Sequence, residues 1–297
     1  MSLVNFFQPE NVTIQKVHYA GLIFDVLRLD KIHLSASGNK FFKLKYNLQK
    51  AQNEQKKMVL TFGGAFSNHI ISTACAANAC GFSSVGIIRG EEVENPTLSA
   101  AKAQGMHLKF VSRGQFRDKN DADFIQQLKE EFGDFYLIPE GGTNDLAIKG
   151  TQEISSLIPE EYDLIGVSVG TGGTMAGLVH SKREHQQILG FSALKGNWIE
   201  QEMLEMAATH EGWQIHQDLF FGGYARWKPE LIELINDFYQ KTGIPLDPIY
   251  NGKMIYGLLS AWKSGQISPD HNILAIHTGG LQGIAGFNAR FGNIIEI

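Results

Sequence analysis

Short apolar runs rich in β-branched residues alternate with helical patterns along the chain from residue 58 onward. Strands that alternate with helices of about 10 to 15 residues indicate βαβ units, which build parallel sheets. We therefore predict an α/β fold with two open, mostly parallel sheets, flanking helices and a cleft between the sheets. Ligands of such folds bind beyond the carboxyl ends of the strands. The predicted strands cover residues 58–62, 83–90, 107–113, 135–142, 163–169, 188–193 and 272–277, and the predicted helices cover 68–79, a segment from 96, 121–132, 144–157, 174–184, 198–208, 228–243 and 252–264.

The composition argues against several classes of function. The formal net charge is −5, and acidic and basic residues are interspersed without a basic stripe, so nucleic acid is not an expected partner. No apolar run approaches the ~18 to 20 residues that span a bilayer. The N-terminus lacks the pattern of a signal peptide, so we expect a cytoplasmic protein without membrane contact. Cys75 and Cys80 lack a metal-binding spacing, and we expect buried thiols and no metal site.

One lysine stands in an unusual place in the segment "SGNKFFKL", residues 37–44. Lys40 follows a Gly-Asn turn and precedes two phenylalanines, where a solvated charge gains nothing. One interpretation is a surface lysine at the start of a helix. The other is a partly desolvated lysine, because a lysine must lose its proton before it can act as a nucleophile or a base.

A glycine-rich segment, "SVGTGGTMAGL" at residues 168–178, follows a predicted strand and opens a predicted helix. Its backbone N–H groups and the positive end of the helix would face one point, which favours a phosphate. The segment has no lysine for a Walker A loop, and the Rossmann spacing of glycines fails at Met175. A tight turn without a ligand is the alternative interpretation.

Further candidates lie in other loops. Ser67 and Asn68 lie where a strand ends and a helix begins, so they either cap the helix or hold a substrate carboxylate at the same N–H groups. Tyr224 and Tyr250 lie in glycine-containing segments, where a tyrosine is more often a packing residue than a catalyst. Thr278 follows the last predicted strand and is weak evidence by itself.

Together these features indicate pyridoxal 5′-phosphate as the cofactor. This cofactor needs a lysine for its aldehyde, amide groups for its phosphate and a partner for its ring nitrogen. The lysine in a semi-apolar loop, the phosphate loop of neither familiar type and the carboxylate-sized anion site together point to this cofactor.

Seven segments also occur in an order that is typical of one enzyme family. They are "SGNKFFKLKYNL", "GGAFSNH", "IPEGGTN", "SVGTGGT", "GGYARWKPE", "DPIYNGKMIYG" and "HTGG". In these segments, from about residue 35 to 285, the chain resembles the family of 1-aminocyclopropane-1-carboxylate deaminase and D-cysteine desulfhydrase. The family consists of pyridoxal-phosphate enzymes with the tryptophan-synthase-β-like fold, fold type II.

The resemblance implies which residues bind the cofactor. Lys40 would join the aldehyde, and Lys43 would reach the phosphate. Asn68 would hydrogen-bond the 3′ oxygen, and Thr278 would hydrogen-bond the ring nitrogen, as in the desulfhydrase branch. The phosphate loop would consist of Gly170, Thr171, Gly172, Gly173 and Thr174.

The resemblance also implies the substrate contacts and the organisation of the chain. Ser67 and the amides after it would meet the carboxylate of a small amino acid, and Tyr224 and Tyr250 would border that substrate. A smaller lobe, residues 54–142, would close on a larger lobe formed by residues 1–53 and 143–297. The expected assembly is a homodimer.

Some positions depart from the family pattern. The deaminases carry a glutamate where Asn251 stands and a leucine where Thr278 stands. A neutral threonine at the ring nitrogen supports a weaker electron sink than a glutamate, which we interpret as evidence against opening of a cyclopropane ring. Phe66 replaces a glutamine that is common in the family and removes a polar group from the substrate side.

The sequence therefore predicts an α,β-elimination and deamination of a small amino acid. The favoured substrate is a D-amino acid with a leaving group at Cβ, such as D-cysteine, which would give pyruvate, ammonia and sulfide, with Lys40 as the base for the Cα proton. The alternative is deamination of 1-aminocyclopropane-1-carboxylate to 2-oxobutanoate. Loss of a hydroxyl group from serine or threonine stays open, and the expected enzyme classes are lyase and hydrolase.

Overall fold

The computed structural model describes residues 6–7, 9, 11–33, 36–196, 198–217, 221–223, 225–268 and 270–297. The strands are β1 Ile14–Tyr19, β2 Leu22–Arg28, β3 Met58–Gly64, β4 Ser83–Arg89, β5 Met106–Val111, β6 Tyr136–Ile138, β7 Leu164–Val169, β8 Gln187–Ser192, β9 Trp213–His216 and β10 Ile273–His277. The helices are α1 Asn39–Asn53, α2 Asn68–Ala79, α3 Pro96–Ala103, α4 Arg113–Arg117, α5 Ala122–Phe132, α6 Asp145–Gln152, α7 Gly173–Ser181, α8 Trp198–Ala207, α9 Pro229–Thr242, α10 Asn251–Lys263 and α11 Gln282–Phe291. Short 3₁₀ segments cover Leu29–Lys31, Glu140–Gly142 and Glu153–Leu157.

These strands form two sheets. The larger sheet has the order β1-β2-β10-β7-β8-β9, and the smaller sheet has the order β5-β4-β3-β6. Neighbouring strands pair in parallel in both sheets, except that β1 and β2 are antiparallel. The predicted α/β fold with two mostly parallel sheets is confirmed. We propose that the smaller sheet is the core of the 54–142 lobe and the larger sheet the core of the other lobe.

The N-terminal hairpin of β1 and β2 is absent from the predicted elements, as are α1, α4, β9 and α11. Its two-residue turn consists of Ala20 and Gly21, with φ values of 52° and 89°. Two positive φ values suit such a turn, but alanine seldom adopts one, so the usual Asn-Gly or Asp-Gly signal is missing. The strands do show the alternation of a half-buried hairpin, with buried side chains at Val17, Tyr19, Leu22, Phe24 and Val26.

Most of the predicted helix ends agree with the structure. Asn95 caps α3 as predicted, because its side chain accepts a hydrogen bond from the N–H of Leu98 at 3.0 Å. The helix predicted over 144–157 is wrong beyond Gln152, where the chain tightens into a 3₁₀ segment. The helix predicted over 174–184 ends at Ser181, because Lys182 is extended with ψ of 153°.

Both sheets are covered on both faces. In β7 every residue is buried, and alternate residues face different clusters: Ile165 packs on one side of the sheet and Leu164 on the other. A strand that is buried on both faces reads as a continuous apolar run, which is why β7 and β10 are easy to recognise in the sequence. No helix among the described residues is long and apolar enough to cross a membrane.

Candidate active site

One cavity lies beyond the carboxyl ends of β3, β7 and β10, where an open α/β sheet binds its ligands. It brings together segments that are far apart in the sequence. The predicted site residues that line it are Lys40, Lys43, Ser67, Asn68, Gly170, Thr171, Gly172, Thr174, Tyr250 and Thr278. Tyr224 lies outside the described residues, so its position is not tested.

Lys40 lies in the first turn of α1, and a close backbone contact fixes where this turn begins. Gly38 precedes the helix with φ of 70°, and a Cβ atom there would overlap the carbonyl oxygen of Thr278. The N–H of Asn39 donates to the same carbonyl oxygen at 3.2 Å. The start of α1 is therefore held against the end of β10, and only glycine fits at the junction.

Lys40 is half-buried and lines the cavity. Its Nζ donates to Oδ1 of Asn39 at 3.2 Å, and Nδ2 of Asn39 donates to Oγ1 of Thr174 at 2.8 Å. Burial lowers the pKa of Lys40 to about 8. Of the two interpretations of Lys40, the structure supports the desolvated lysine.

Lys43 lies one turn further along α1 and is only 2% exposed. Its Nζ donates to Oγ1 of Thr143 at 2.8 Å, to the carbonyl of Gly141 at 3.2 Å and to Oγ1 of Thr171 at 3.4 Å. Burial, and then the positive charge of Lys40, hold the pKa of Lys43 well below its ordinary value. Among the residues described, no carboxylate lies within ion-pair distance of this amine.

The glycine-rich loop between β7 and α7 lies beside Lys43. Gly172 adopts φ of 77°, and a Cβ on Gly173 would lie 3.2 Å from Nζ of Lys43. A Cβ on Gly170 would lie 3.1 Å from the ring of Tyr250, so the tyrosine packs directly on the loop. The first N–H groups of α7 and the positive end of its dipole face this part of the cavity.

A second helix N-terminus closes the cavity opposite the loop. Ser67 is the N-cap residue of α2, but its side chain makes no capping hydrogen bond. Asn68 is the first residue of the helix, and its Oδ1 accepts from Oγ of Ser72 at 3.4 Å. Simple capping therefore does not explain these two side chains, and the helix N–H groups can serve an anionic ligand.

His69 is a cavity residue that the sequence does not single out. It is 1% exposed, and its Nε2 lies 2.8 Å from Oγ1 of Thr61, which itself donates to the carbonyl of Ile138. Nε2 therefore carries the ring proton. Burial, and then the charges of Lys40 and Lys43, hold the pKa of His69 well below its ordinary value, so the ring is neutral. Its position directly after Asn68 is the one signal in the sequence that could have found it.

The residues present fit pyridoxal phosphate. Lys43 is a buried amine that has no carboxylate partner within the described part of the chain, and it lies beside the N-terminus of α7, so this end of the cavity favours an anion such as a phosphate. Lys40 offers an amine with a lowered pKa to an aldehyde. At the other end, the hydroxyl of Thr278 lies 3.0 Å from Oγ of Ser168, and both line the cavity.

Comparison with known proteins identifies the family. The sequence profile described as "Pyridoxal-phosphate dependent enzyme" matches residues 26–279. The chain therefore belongs to the family of pyridoxal-phosphate dependent enzymes, and its cofactor is pyridoxal 5′-phosphate. It is a lyase or deaminase of the group that contains 1-aminocyclopropane-1-carboxylate deaminase and D-cysteine desulfhydrase, and classification as a hydrolase is not supported.

Some relatives are named as the deaminase and others as the desulfhydrase. A protein of Pyrococcus furiosus, named "Putative 1-aminocyclopropane-1-carboxylate deaminase", is 32% identical over 280 residues, which cover 87% of this chain and 84% of the relative. A protein of Serratia proteamaculans named D-cysteine desulfhydrase is 24% identical, over 98% of this chain and 96% of the relative. The crystal structure of an "ACC deaminase homologue" has a TM-score of 0.84 and 27% identity, covering 96% of this chain and 94% of that chain. The chain thus has the predicted fold type II.

Proposed function

We propose that the chain eliminates a leaving group from Cβ of a small amino acid, with D-cysteine as the favoured substrate, and releases pyruvate, ammonia and sulfide. The observation that carries this proposal is the position of Lys40. Its desolvated amine lies in the same cavity as the two helix N-termini and a buried second lysine. A base for a Cα proton and two sites for anions are thereby within reach of one small substrate.

The residues of the cavity divide the binding between them. Lys43 and the loop 170–174 would hold the cofactor's phosphate, and the side-chain amide of Asn68 would hydrogen-bond the ring oxygen. Ser67 and the first N–H groups of α2 hold the substrate carboxylate, and Tyr250 borders the substrate. When bound, the cofactor supplies an electron sink for the charge that develops at Cα.

Lys40 handles the proton. As a free amine, Nζ has a pKa near 8, which leaves a substantial neutral fraction at pH 7 to 8. Nζ takes the proton from Cα, the C–S bond breaks and sulfide leaves with the bonding electrons. The released enamine then takes up water to give pyruvate and ammonia. Oδ1 of Asn39, 3.2 Å from Nζ, keeps the amine directed within the cavity.

The second candidate is deamination of 1-aminocyclopropane-1-carboxylate, which the names of several relatives favour. This substrate has no Cα proton, so the base function of Lys40 at Cα would be idle. Asn251, which stands where the deaminases carry a glutamate, is buried, and its Oδ1 accepts from the N–H of Thr278 at 2.9 Å.

The test compares the two substrates on the purified holoenzyme. We expect pyruvate from D-cysteine at a rate well above that of 2-oxobutanoate from the cyclopropane acid, and the opposite ranking would establish the second candidate. Lys40→Ala should lower pyruvate formation by about 10²- to 10⁴-fold and abolish the absorption band of the lysine-bound cofactor.

Lys45→Ala is the matched control, because Lys45 lies on the same helix but pairs with Glu153 at the surface at 2.7 Å. It should keep both the rate and the absorption band. Pyruvate formation that survives Lys40→Ala would refute the role of Lys40. The expected homodimer stays a prediction, which sedimentation equilibrium of the holoenzyme tests.

A further inference from the structure

The ring-nitrogen end of the cavity contains a buried acidic residue that the sequence does not single out. Asp247 is 1% exposed and precedes α10. Its Oδ1 accepts hydrogen bonds from the N–H groups of Ile249 at 2.9 Å and Tyr250 at 2.8 Å. Its Oδ2 accepts from the N–H of Asn251 at 3.0 Å and from Nδ2 of Asn251 at 2.6 Å. Four N–H donors at a helix N-terminus are the surroundings of a carboxylate anion.

The side-chain amide of Asn251 can have only one orientation. It is fully buried, and its Nδ2 lies between two groups that only accept, the carboxylate of Asp247 and the carbonyl of Gly279 at 2.7 Å. Its Oδ1 accepts from the N–H of Thr278 at 2.9 Å. Exchanging the nitrogen and oxygen would break all three contacts, so Oδ1 faces Thr278.

The orientation of Asn251 determines where the proton of the Thr278 hydroxyl points. Oγ1 of Thr278 lies 3.2 Å from Oδ1 of Asn251, an atom that can only accept, so Thr278 is the donor. Its neighbour Ser168, at 3.0 Å, then donates to Thr278. Because the single hydroxyl proton of Thr278 points to Asn251, the hydroxyl presents a lone pair to the cavity.

A lone pair at this position selects one form of the cofactor ring. A neutral pyridine nitrogen needs a donor, whereas a protonated pyridine nitrogen needs an acceptor. We infer that the structure assigns Asp247 and Asn251 as positioning residues that keep Thr278 as an acceptor, so that the bound cofactor has a protonated ring nitrogen. The inference rests on the proposed place of the cofactor in this cavity.

A protonated ring nitrogen would make the bound cofactor a stronger electron sink than Thr278 by itself suggests. A threonine considered alone predicts a neutral ring and a weak electron sink. With Asp247 behind it, the charge of the carboxylate polarises Asn251, and Asn251 polarises Thr278, in a buried chain where water does not screen the hydrogen bonds.

The experiment reconstitutes the apoprotein with pyridoxal phosphate that carries ¹⁵N in the ring and records the ¹⁵N chemical shift of the ring nitrogen. We expect the upfield shift of a protonated pyridine in the wild-type holoenzyme. Thr278→Val removes the hydroxyl and Asp247→Asn removes the charge, and each should move the signal downfield toward a neutral pyridine. Ser168→Ala is the control, and it should leave the signal protonated.

Two results would overturn the inference. A neutral ring nitrogen in the wild type overturns it, even if a variant fails to fold. A protonated signal that is unchanged in both Thr278→Val and Asp247→Asn overturns it as well. The absorption band of the lysine-bound cofactor separates this failure from a failure of the proposed site, because a wrong site would leave no band that depends on Lys40.

Discussion

The two ends of the cavity have opposite electrostatic character. At the proposed phosphate end, the loop 170–174 supplies helix N–H groups, and Lys43 supplies a buried amine without a carboxylate partner among the described residues. At the proposed ring-nitrogen end, Asp247 supplies a buried carboxylate that accepts from the N–H groups of Ile249, Tyr250 and Asn251, where α10 begins. One end is arranged to receive an anion and the other to face a cation. A cofactor with a phosphate and a protonated ring is complementary to both.

The ends also differ in how they are assembled. The phosphate end uses a contiguous loop whose glycines are visible in the sequence. The ring-nitrogen end depends on hydrogen bonds between Asp247, Asn251 and Thr278, which belong to two different elements. The junction at Gly38 joins the two ends, because it holds the lysine helix α1 against Thr278. A contiguous motif thus forms the loop 170–174, whereas contacts between residues distant in sequence set the charge and hydrogen bonding around Thr278.

The largest expected effect comes from substitution at this junction. Gly38→Ala places a Cβ atom in the carbonyl oxygen of Thr278 at a positive φ, and should lower the unfolding free energy of the apoprotein by about 2 to 5 kcal/mol. Cofactor binding should fall with it, since both ends of the cavity shift. Urea unfolding and titration with pyridoxal phosphate measure the two effects.

Gly133→Ala provides the comparison, because Gly133 also has positive φ, 82°, but nothing lies within 4 Å of the added Cβ. It should cost only about 1 to 2 kcal/mol, the strain of the backbone alone. Equal losses in the two variants would show that the contact between Gly38 and Thr278 is not important.

A second prediction separates the phosphate end from the ring end. Lys43→Met should weaken binding of pyridoxal phosphate by about 10- to 100-fold, because a hydrogen bond to a charged group contributes about 1.5 to 3 kcal/mol. The apoprotein should become more stable, since an apolar side chain replaces a buried amine for which the described residues supply no carboxylate partner. Isothermal titration and thermal unfolding test the two parts, and the ring ¹⁵N shift should not change. A less stable apoprotein would contradict our view of this end.

The third and smallest effect concerns the amine between the two ends. Only the neutral amine of Lys40 attacks the cofactor's aldehyde, and burial lowers its pKa to about 8. The rate of cofactor uptake by the apoprotein should therefore rise about tenfold from pH 7 to 9 and then level off. Stopped-flow absorbance measures this rate. A rate that still rises tenfold per pH unit above pH 9 would indicate an ordinary solvated lysine.

Much of the fold follows from local patterns. The buried runs of β3, β4, β7 and β10 and the helices between them are legible because a parallel sheet covered on both faces requires continuous apolar strands. The hairpin of β1 and β2 is less legible, because alanine at Ala20 hides the turn. The 3₁₀ segment after α6 is also hard to predict, because its sequence continues the helical pattern.

Some residues of the candidate site are likewise predictable from the sequence, and others are not. The loop 170–174 and Ser67 with Asn68 are predictable because each lies at a strand-to-helix junction where N–H groups are exposed. Lys40 is predictable because it stands between a Gly-Asn turn and two phenylalanines. His69 and Asp247 are not, because a single histidine or aspartate gives no sign of the cavity it will line. Their roles depend on neighbours that are distant in sequence.

The sequence by itself determined most of the alternation of strands and helices after residue 58, the lysine and the glycine loop, because these depend on local propensity and on residue types that few other positions tolerate. Tertiary structure alone decided that Lys40 is desolvated, that Lys43 is buried without a carboxylate partner among the described residues, and that Asp247 lies behind Asn251 and Thr278. The physical reason is that burial and hydrogen-bond direction are set by groups brought together from separate segments, and a proton's position depends on all of them at once.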